Sequence, residues 1–259
     1  MKIKHLLCFI ALCLFFTPGK AQQLSVMTLR NGATVYIWED KSKPDVFGMI
    51  AFKVGSVDDP EQYTGLAHYL EHVMFKGTQT IDALDWEKEK PIYEKIIAKY
   101  DERAALSDPA AREAVDKEIN DLTREAAQYA AGNEFSLLVD HMGGQGLNAS
   151  TGYDQTEYHN SFPPSQLEKW LEIYSERLID PVFRGFQTEL EAVYEEYNMY
   201  NDDRGSRMRE FIYEQAFGDH PYARPIIGLP EHLKNPQLSK LIDFYNTWYL
   251  SLIHISEPT

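Results

Sequence analysis

Thr64-Gly65-Leu66-Ala67-His68-Tyr69-Leu70-Glu71-His72-Val73-Met74-Phe75-Lys76-Gly77-Thr78 joins an apolar helical stripe to two histidines and a carboxylate. Leu66, Leu70, Val73 and Met74 recur at three- and four-residue spacing, which predicts a helix across Thr64 to Lys76, and Gly77 supplies a stop. Residues four apart share a helix face, so His68 and His72 can direct ring nitrogens at one ion. Glu71, three residues after His68, projects towards the same side. Two neutral imidazoles are a standard zinc-holding pair, and a carboxylate beside them can take a proton from water.

Upstream, Leu24 to Leu29 and Ala33 to Trp38 flank Asn31-Gly32, a strong hairpin signal. Val46 to Val54 is a third apolar strand candidate. Downstream, residues 82–132 change character and become rich in Glu, Lys, Asp and Ala. Ile92, Ile96 and Tyr100 keep helical spacing there, as do Val115, Ile119, Leu122 and Ala126. Ser107-Asp108-Pro109 between them is a helix start. This predicts a two-helix hairpin with one apolar seam and a solvated outer face, inserted into a larger domain. Gly146 to Thr151 and Glu157 to Ser161 read as strands. Gln166 to Leu178, Glu189 to Met199, Met208 to Phe217 and Leu238 to Tyr249 read as helices. Loose alternation with hairpins predicts an α+β fold: a mixed or antiparallel sheet with helices packed on one face.

Before residue 22 the chain has another character. Lys2, Lys4 and His5 give a positive start, Leu6 to Phe16 is apolar, and Gly19-Lys20-Ala21 supplies small residues. That layout predicts a signal peptide at 1–21 and export, with no membrane span once it is cleaved. Cys8 and Cys13 are both in this segment, so the mature chain has no thiol, no disulfide and no cysteine ligand. A formal charge of −15 repels phosphate backbones and argues against nucleic-acid binding.

Zinc needs a third protein ligand, here a His or a carboxylate. Glu189 to Glu196 carries four glutamates on one predicted helix, with Glu189, Val193 and Glu196 on one stripe. Spacing alone leaves Glu195 and Glu196 equivalent candidates. His141, His159 and His220 read as surface, core-edge or loop-packing residues, and Trp170 with Tyr174 as core.

At this point the chain resembles the pitrilysin/insulinase family of inverted zinc peptidases (inverzincins). Thr64 to Thr78 is similar to that family's whole active-site helix, and Val193-Tyr194-Glu195-Glu196-Tyr197-Asn198-Met199-Tyr200 to its second metal helix. Asn148-Ala149-Ser150-Thr151 resembles its substrate-binding edge strand, and His220-Pro221-Tyr222 with Gly228 a further segment. The resemblance spans about residues 24 to 250 and implies a zinc endopeptidase acting on peptides. It implies one Zn2+ held by His68, His72 and Glu196, with Glu71 as catalytic base and Glu189 orienting a ligand. Asn148, Ala149 and Ser150 would pair with the substrate backbone. The His2Glu set favours zinc over manganese or cobalt.

The chain departs from the family pattern in two places. The interval from His72 to Glu196 is long, and the hairpin at 82–132 accounts for the excess, as in some exported bacterial members. Residues 251–259, His254 among them, fit no family segment and read as a truncated or misjoined end, which leaves 22–250 as the metallopeptidase domain. The family encloses its peptides with C-terminal domains or a second subunit, so this chain alone is expected to bind zinc and to hydrolyse peptides poorly. A periplasmic or secreted bacterial location follows from the leader. The rival class is a non-catalytic, peptide-binding partner subunit; retention of Glu71 and all three implied ligands favours the enzyme.

Overall fold

The computed structural model describes residues 24–250. The expected signal peptide at 1–21 and the anomalous segment at 251–259 lie outside the described residues. Two units are distinguished, one ending at Pro44 and one starting at Asp45. In the first, β1 (Leu24–Thr28) pairs antiparallel with β2 (Thr34–Trp38). The turn between them has Gly32 at φ +82, a left-handed conformation open to glycine without steric cost. The Asn31 side chain accepts the Ala33 amide at 3.1 Å and closes the turn.

The second unit contains β3 (Val46–Phe52), α1 (Leu66–Val73), α2 (Trp86–Ala105), α3 (Pro109–Ala126) and α4 (Glu134–His141). These are followed by β4 (Gln145–Thr151), β5 (Thr156–Phe162), α5 (Leu167–Ile179), α6 (Phe186–Asp202), α7 (Arg204–Phe217), α8 (Pro230–Leu233) and α9 (Leu238–Tyr245). The fold is α+β, and both sheets are antiparallel. The three-stranded sheet has the order β3-β5-β4, which puts β4 at its end. Along β5, Thr156, Tyr158, Asn160 and Phe162 are buried while Glu157, His159 and Ser161 are half-buried, so the helices cover one face. On that face Trp170 and Tyr174 of α5 stack at 4.3 Å and both donate to Asn160 Oδ1, at 2.7 and 2.8 Å. Gly48 of β3 is required there, because a Cβ would stand 2.6 Å from the Trp170 ring. Arg177 is fully buried, its guanidinium 4.4–4.5 Å from the ring centres of Phe75, Phe135 and Tyr158. Among the described residues no helix is long and apolar enough to cross a membrane.

α2 and α3 form the helical hairpin expected from the sequence, with Ile92, Ile96, Tyr100, Val115 and Ile119 buried. Asp85 and Asp108 cap the two helices through the amides of Lys88 and Ala111. The two ends of the hairpin return to one place. Leu84 N–H donates to Tyr129 O at 2.8 Å, Ala131 N–H donates to Asp82 O at 3.0 Å, and Ala83 bridges Ala130. Glu89 of α2 makes a two-pronged bond with Arg184, at 2.6 and 2.8 Å, and Arg184 also donates to Thr78 O at 2.8 Å. The hairpin therefore shares the core of the unit. Tyr100 packs on Phe186, at the start of α6, with ring centres 4.7 Å apart.

Several boundaries differ from the sequence reading. α1 begins at Leu66 because Gly65 is left-handed, with φ +89, and a Cβ there would lie 2.6 Å from Ile227 O. α6 starts three residues before Glu189, and α7 starts at Arg204, where Asp203 caps the amide of Ser206. The last predicted helix stays α-helical only to Tyr245 and then widens into a π turn at Asn246–Leu250.

Candidate metal centre

α1 presents its apolar residues to the core and carries His68 and His72 towards α6. Its N-terminus is capped from a distance. The buried Asp59 carboxylate accepts the amides of Gly65 at 2.7 Å and Ala67 at 2.9 Å. Burial pushes Asp59 up to about 7, against the pull of those amides and of Arg224. The Tyr69 hydroxyl donates to Phe186 O and ties α1 to the first turn of α6.

On α6, Glu189, Val193 and Glu196 form one stripe. Val193 is fully buried, so the stripe faces inward and both carboxylates reach the α1 histidines. Nε2 of His68 lies 3.6 Å, and Nε2 of His72 3.5 Å, from Oε2 of Glu196. One ligand atom from each of these residues falls within 4.8 Å of the others, a grouping made once among the described residues. Ligand atoms around a tetrahedral zinc stand roughly 3.3 Å apart for bonds of about 2.0–2.1 Å. Both separations from Glu196 are longer than good hydrogen bonds and close to that value, and the ligand nitrogens of the two histidines lie within 4.8 Å of each other, so the donor set fits a zinc ion. Glu195, adjacent in sequence, is exposed on another face of α6.

A second layer stands behind the donors. Glu189 Oε2 is 3.6 Å from Nδ1 of His72, and its Oε1 pairs with Lys76 Nζ at 2.5 Å. Glu71 Oε2 accepts a hydrogen bond from Thr151 Oγ1 at 2.7 Å. Burial, with the neighbouring His72, lowers His68 to about 4, so it is neutral at physiological pH. Burial also pulls on His72, but Glu189, Glu196 and Glu71 outweigh it and raise that ring to about 9. Burial raises Glu71 above the usual carboxylate range, opposed by the Thr151 bond, His72 and Arg177. Glu189 is lowered: burial acts against ionisation, and the bonds to His72 and Lys76 prevail. Glu196 is lowered chiefly by His72.

Asn148, Ala149 and Ser150 lie on β4, opposite His159, Tyr158 and Glu157 of β5. Asn148 and Ser150 are exposed and Ala149 is buried. The pairing shifts register between Gln145 and Asn148, a bulge beside Gly146 at φ +63. Of the other histidines, His159 packs on Phe47 with ring centres 5.3 Å apart, and His220 accepts the Tyr222 amide at 3.2 Å; neither joins the cluster. Lys76, Thr151, Arg177 and Asp59 escaped the sequence reading. Thr151 stood inside the quoted edge-strand motif, and Lys76 closed the predicted helix but lies past Val73, where α1 ends. No local signal pointed to Arg177 or Asp59.

The sequence profile of the insulinase family (peptidase family M16) matches residues 34–90 and 119–229. The unmatched interval, 91–118, is the outer part of the α2–α3 hairpin. An uncharacterized zinc protease of Mycobacterium leprae is 25% identical over 194 residues, which is 74% of this chain and 32% of that protein. Zinc protease PqqE of Helicobacter pylori is 25% identical over 227 residues, 86% of this chain and 40% of that one. An insulin-degrading enzyme homolog of Dictyostelium discoideum is 22% identical over 236 residues, and this chain spans 19% of its length. Among solved structures, a protease from Helicobacter pylori aligns over 89% of this chain and 44% of its own, with a TM-score of 0.66 and 22% identity. Pitrilysin aligns over 90% of this chain and 20% of its own, with a TM-score of 0.62 and 22% identity. The chain thus spans less than half the length of each.

Proposed function

The chain belongs to the insulinase family (peptidase family M16), and from that premise we propose that it is the metal-binding catalytic domain of an exported zinc endopeptidase. The convergence of His68, His72 and Glu196 on a zinc-sized space, with Glu71 beside it, is the observation that carries this reading. We read His68 Nε2, His72 Nε2 and Glu196 Oε2 as the ligands of a single ion. Zinc held there would lend Lewis acidity to a water molecule and to the scissile carbonyl.

Glu71 accepts the proton of the attacking water and returns it to the departing amine. Burial raises its pKa, which favours taking up the proton that it later returns. Glu189 holds His72 by Nδ1, fixing the tautomer that leaves Nε2 for the metal. A substrate peptide adds to the outer edge of β4, antiparallel or parallel, using the backbone of Asn148, Ala149 and Ser150. Backbone pairing of this kind favours unfolded segments and gives little sequence preference. The α2–α3 hairpin is an insertion in the family fold, a reading supported by the profile gap at 91–118. Later domains or a second subunit would complete the chamber around the peptide, in keeping with relatives of which this chain spans 32% and 40%.

The test is Glu71→Gln. The variant should keep the wild-type zinc content and lose peptide cleavage by at least about 100-fold. A variant that cleaves as fast as the wild type contradicts the assignment of the base.

A further inference from the structure

We infer that Thr151 is a positioning residue for Glu71 and that it ties the peptide-binding strand to the catalytic base; the inference rests on the peptidase reading given above. Thr151 is the last residue of β4, and its hydroxyl donates to Glu71 Oε2 at 2.7 Å. One carboxylate oxygen is thereby held by the strand, which leaves the other to take the proton of the water. The bond joins groups 80 residues apart in sequence, so only the fold brings them together.

Thr151 is well anchored. It stands opposite Thr156 in the β4–β5 ladder, and the buried Thr156 hydroxyl donates to Val54 O at 3.0 Å. The Gly152 amide closes the adjoining turn on Gln155 O at 2.7 Å. Alternation along β4 turns Leu147, Ala149 and Thr151 inward, while Asn148 and Ser150 point outward. The strand that would pair with a substrate backbone therefore ends in the donor that fixes the base. A free glutamate on a helix samples several rotamers, whereas a bond to an anchored donor selects one. Seating a peptide on β4 stiffens the strand and with it the carboxylate. Alignment of the base is then greatest when substrate is present.

Thr151→Val removes the donor and keeps the shape, and Thr151→Ser keeps the donor. The assay uses zinc-loaded protein in excess over a quenched fluorogenic peptide, so that a single turnover is read. Thr151→Val should lower the maximal rate constant about 10- to 100-fold while the half-saturating concentration stays within about twofold. Thr151→Ser should recover the rate to within about threefold of wild type. Zinc affinity, read by competition with a chromophoric chelator, should be the same in all three. A crystal structure of Thr151→Val should show the Glu71 carboxylate in more than one rotamer.

A Thr151→Val protein that keeps the wild-type rate, or that loses zinc affinity or half-saturation instead, overturns the inference and leaves the peptidase reading standing. Zinc-loaded wild type that does not cleave even when joined to the later domains that complete its chamber, or Glu71→Gln that cleaves equally well there, removes the peptidase reading and this inference with it.

Discussion

Asp82 and Glu134 cap one another across the base of the helical hairpin. The Asp82 amide donates to Glu134 Oε2 at 2.6 Å, and the Glu134 amide donates to Asp82 Oδ1 at 2.7 Å. Asp82 is buried and left-handed, with φ +64, a conformation that Asp and Asn tolerate better than most residues. This reciprocal clasp lets some fifty residues leave the chain between α1 and α4 and return to the same point.

Asp82→Ala should cost about 1–3 kcal/mol, because it strands the Glu134 amide and places alanine at a positive φ. Urea denaturation of the metal-free protein reads the loss. Asp82→Asn, which keeps an acceptor and tolerates the backbone, should recover about half of it or more. Zinc affinity should not change in either variant, since neither α1 nor α6 depends on the clasp.

The Glu89–Arg184 pair makes a larger prediction. Glu89 is 1% exposed, and its two-pronged bond with Arg184 joins α2 to the segment before α6. Glu89→Ala leaves a buried guanidinium without its counter-charge and should cost about 3–5 kcal/mol. Thermal unfolding should show a fall of order 10 °C. The double replacement Glu89→Leu with Arg184→Met should cost clearly less than Glu89→Ala alone.

How far the site was legible in the sequence depended on whether its parts were local. His68, Glu71 and His72 lie within one turn and a half of helix, so spacing alone put them on one side. The stripe Glu189, Val193, Glu196 was legible for the same reason. The choice of Glu196 over Glu195 was not, because it turns on which way α6 faces, and the burial of Val193 decides that. The hairpin was readable from the apolar spacing of its two helices and the Asp108-Pro109 start. Its anchoring was not, because Glu89–Arg184 and Asp82–Glu134 join residues 95 and 52 apart. Thr151 and Arg177 are ordinary strand and helix residues by type, Lys76 lies just past the end of α1, and only tertiary packing gives them their partners.

Glu189 should tune zinc affinity without holding the metal. It contacts His72 and Lys76, and Glu189→Gln removes the charge that keeps His72 oriented. Chelator competition should show affinity about 10- to 100-fold weaker for Glu189→Gln, and a much larger loss for Glu196→Gln. Equal losses in the two variants would contradict this division of roles.

Zinc binding should release about one proton near pH 7.5. In the metal-free protein His72 is raised to about 9 by Glu189 and Glu196, so it is protonated there, whereas His68, lowered to about 4, is already neutral. Only His72 must give up a proton, and affinity should rise about tenfold per pH unit until pH reaches about 9. The sign for stability is opposite. His72 lies above its unfolded value of 6.5, so its contribution is complete below pH 6.5 and is lost as pH rises to about 9. Proton release in weak buffer with an indicator dye tests the first statement, and metal-free melting curves against pH test the second.

The account stands or falls on the metal centre, and anomalous diffraction at the zinc edge from crystals of the zinc-loaded protein tests it most directly. It predicts one peak, about 2.0–2.2 Å from His68 Nε2, His72 Nε2 and a Glu196 carboxylate oxygen, with Glu189 outside bonding distance. Absence of a peak at that point, or a peak ligated by Glu189 or Glu195 in place of Glu196, contradicts it.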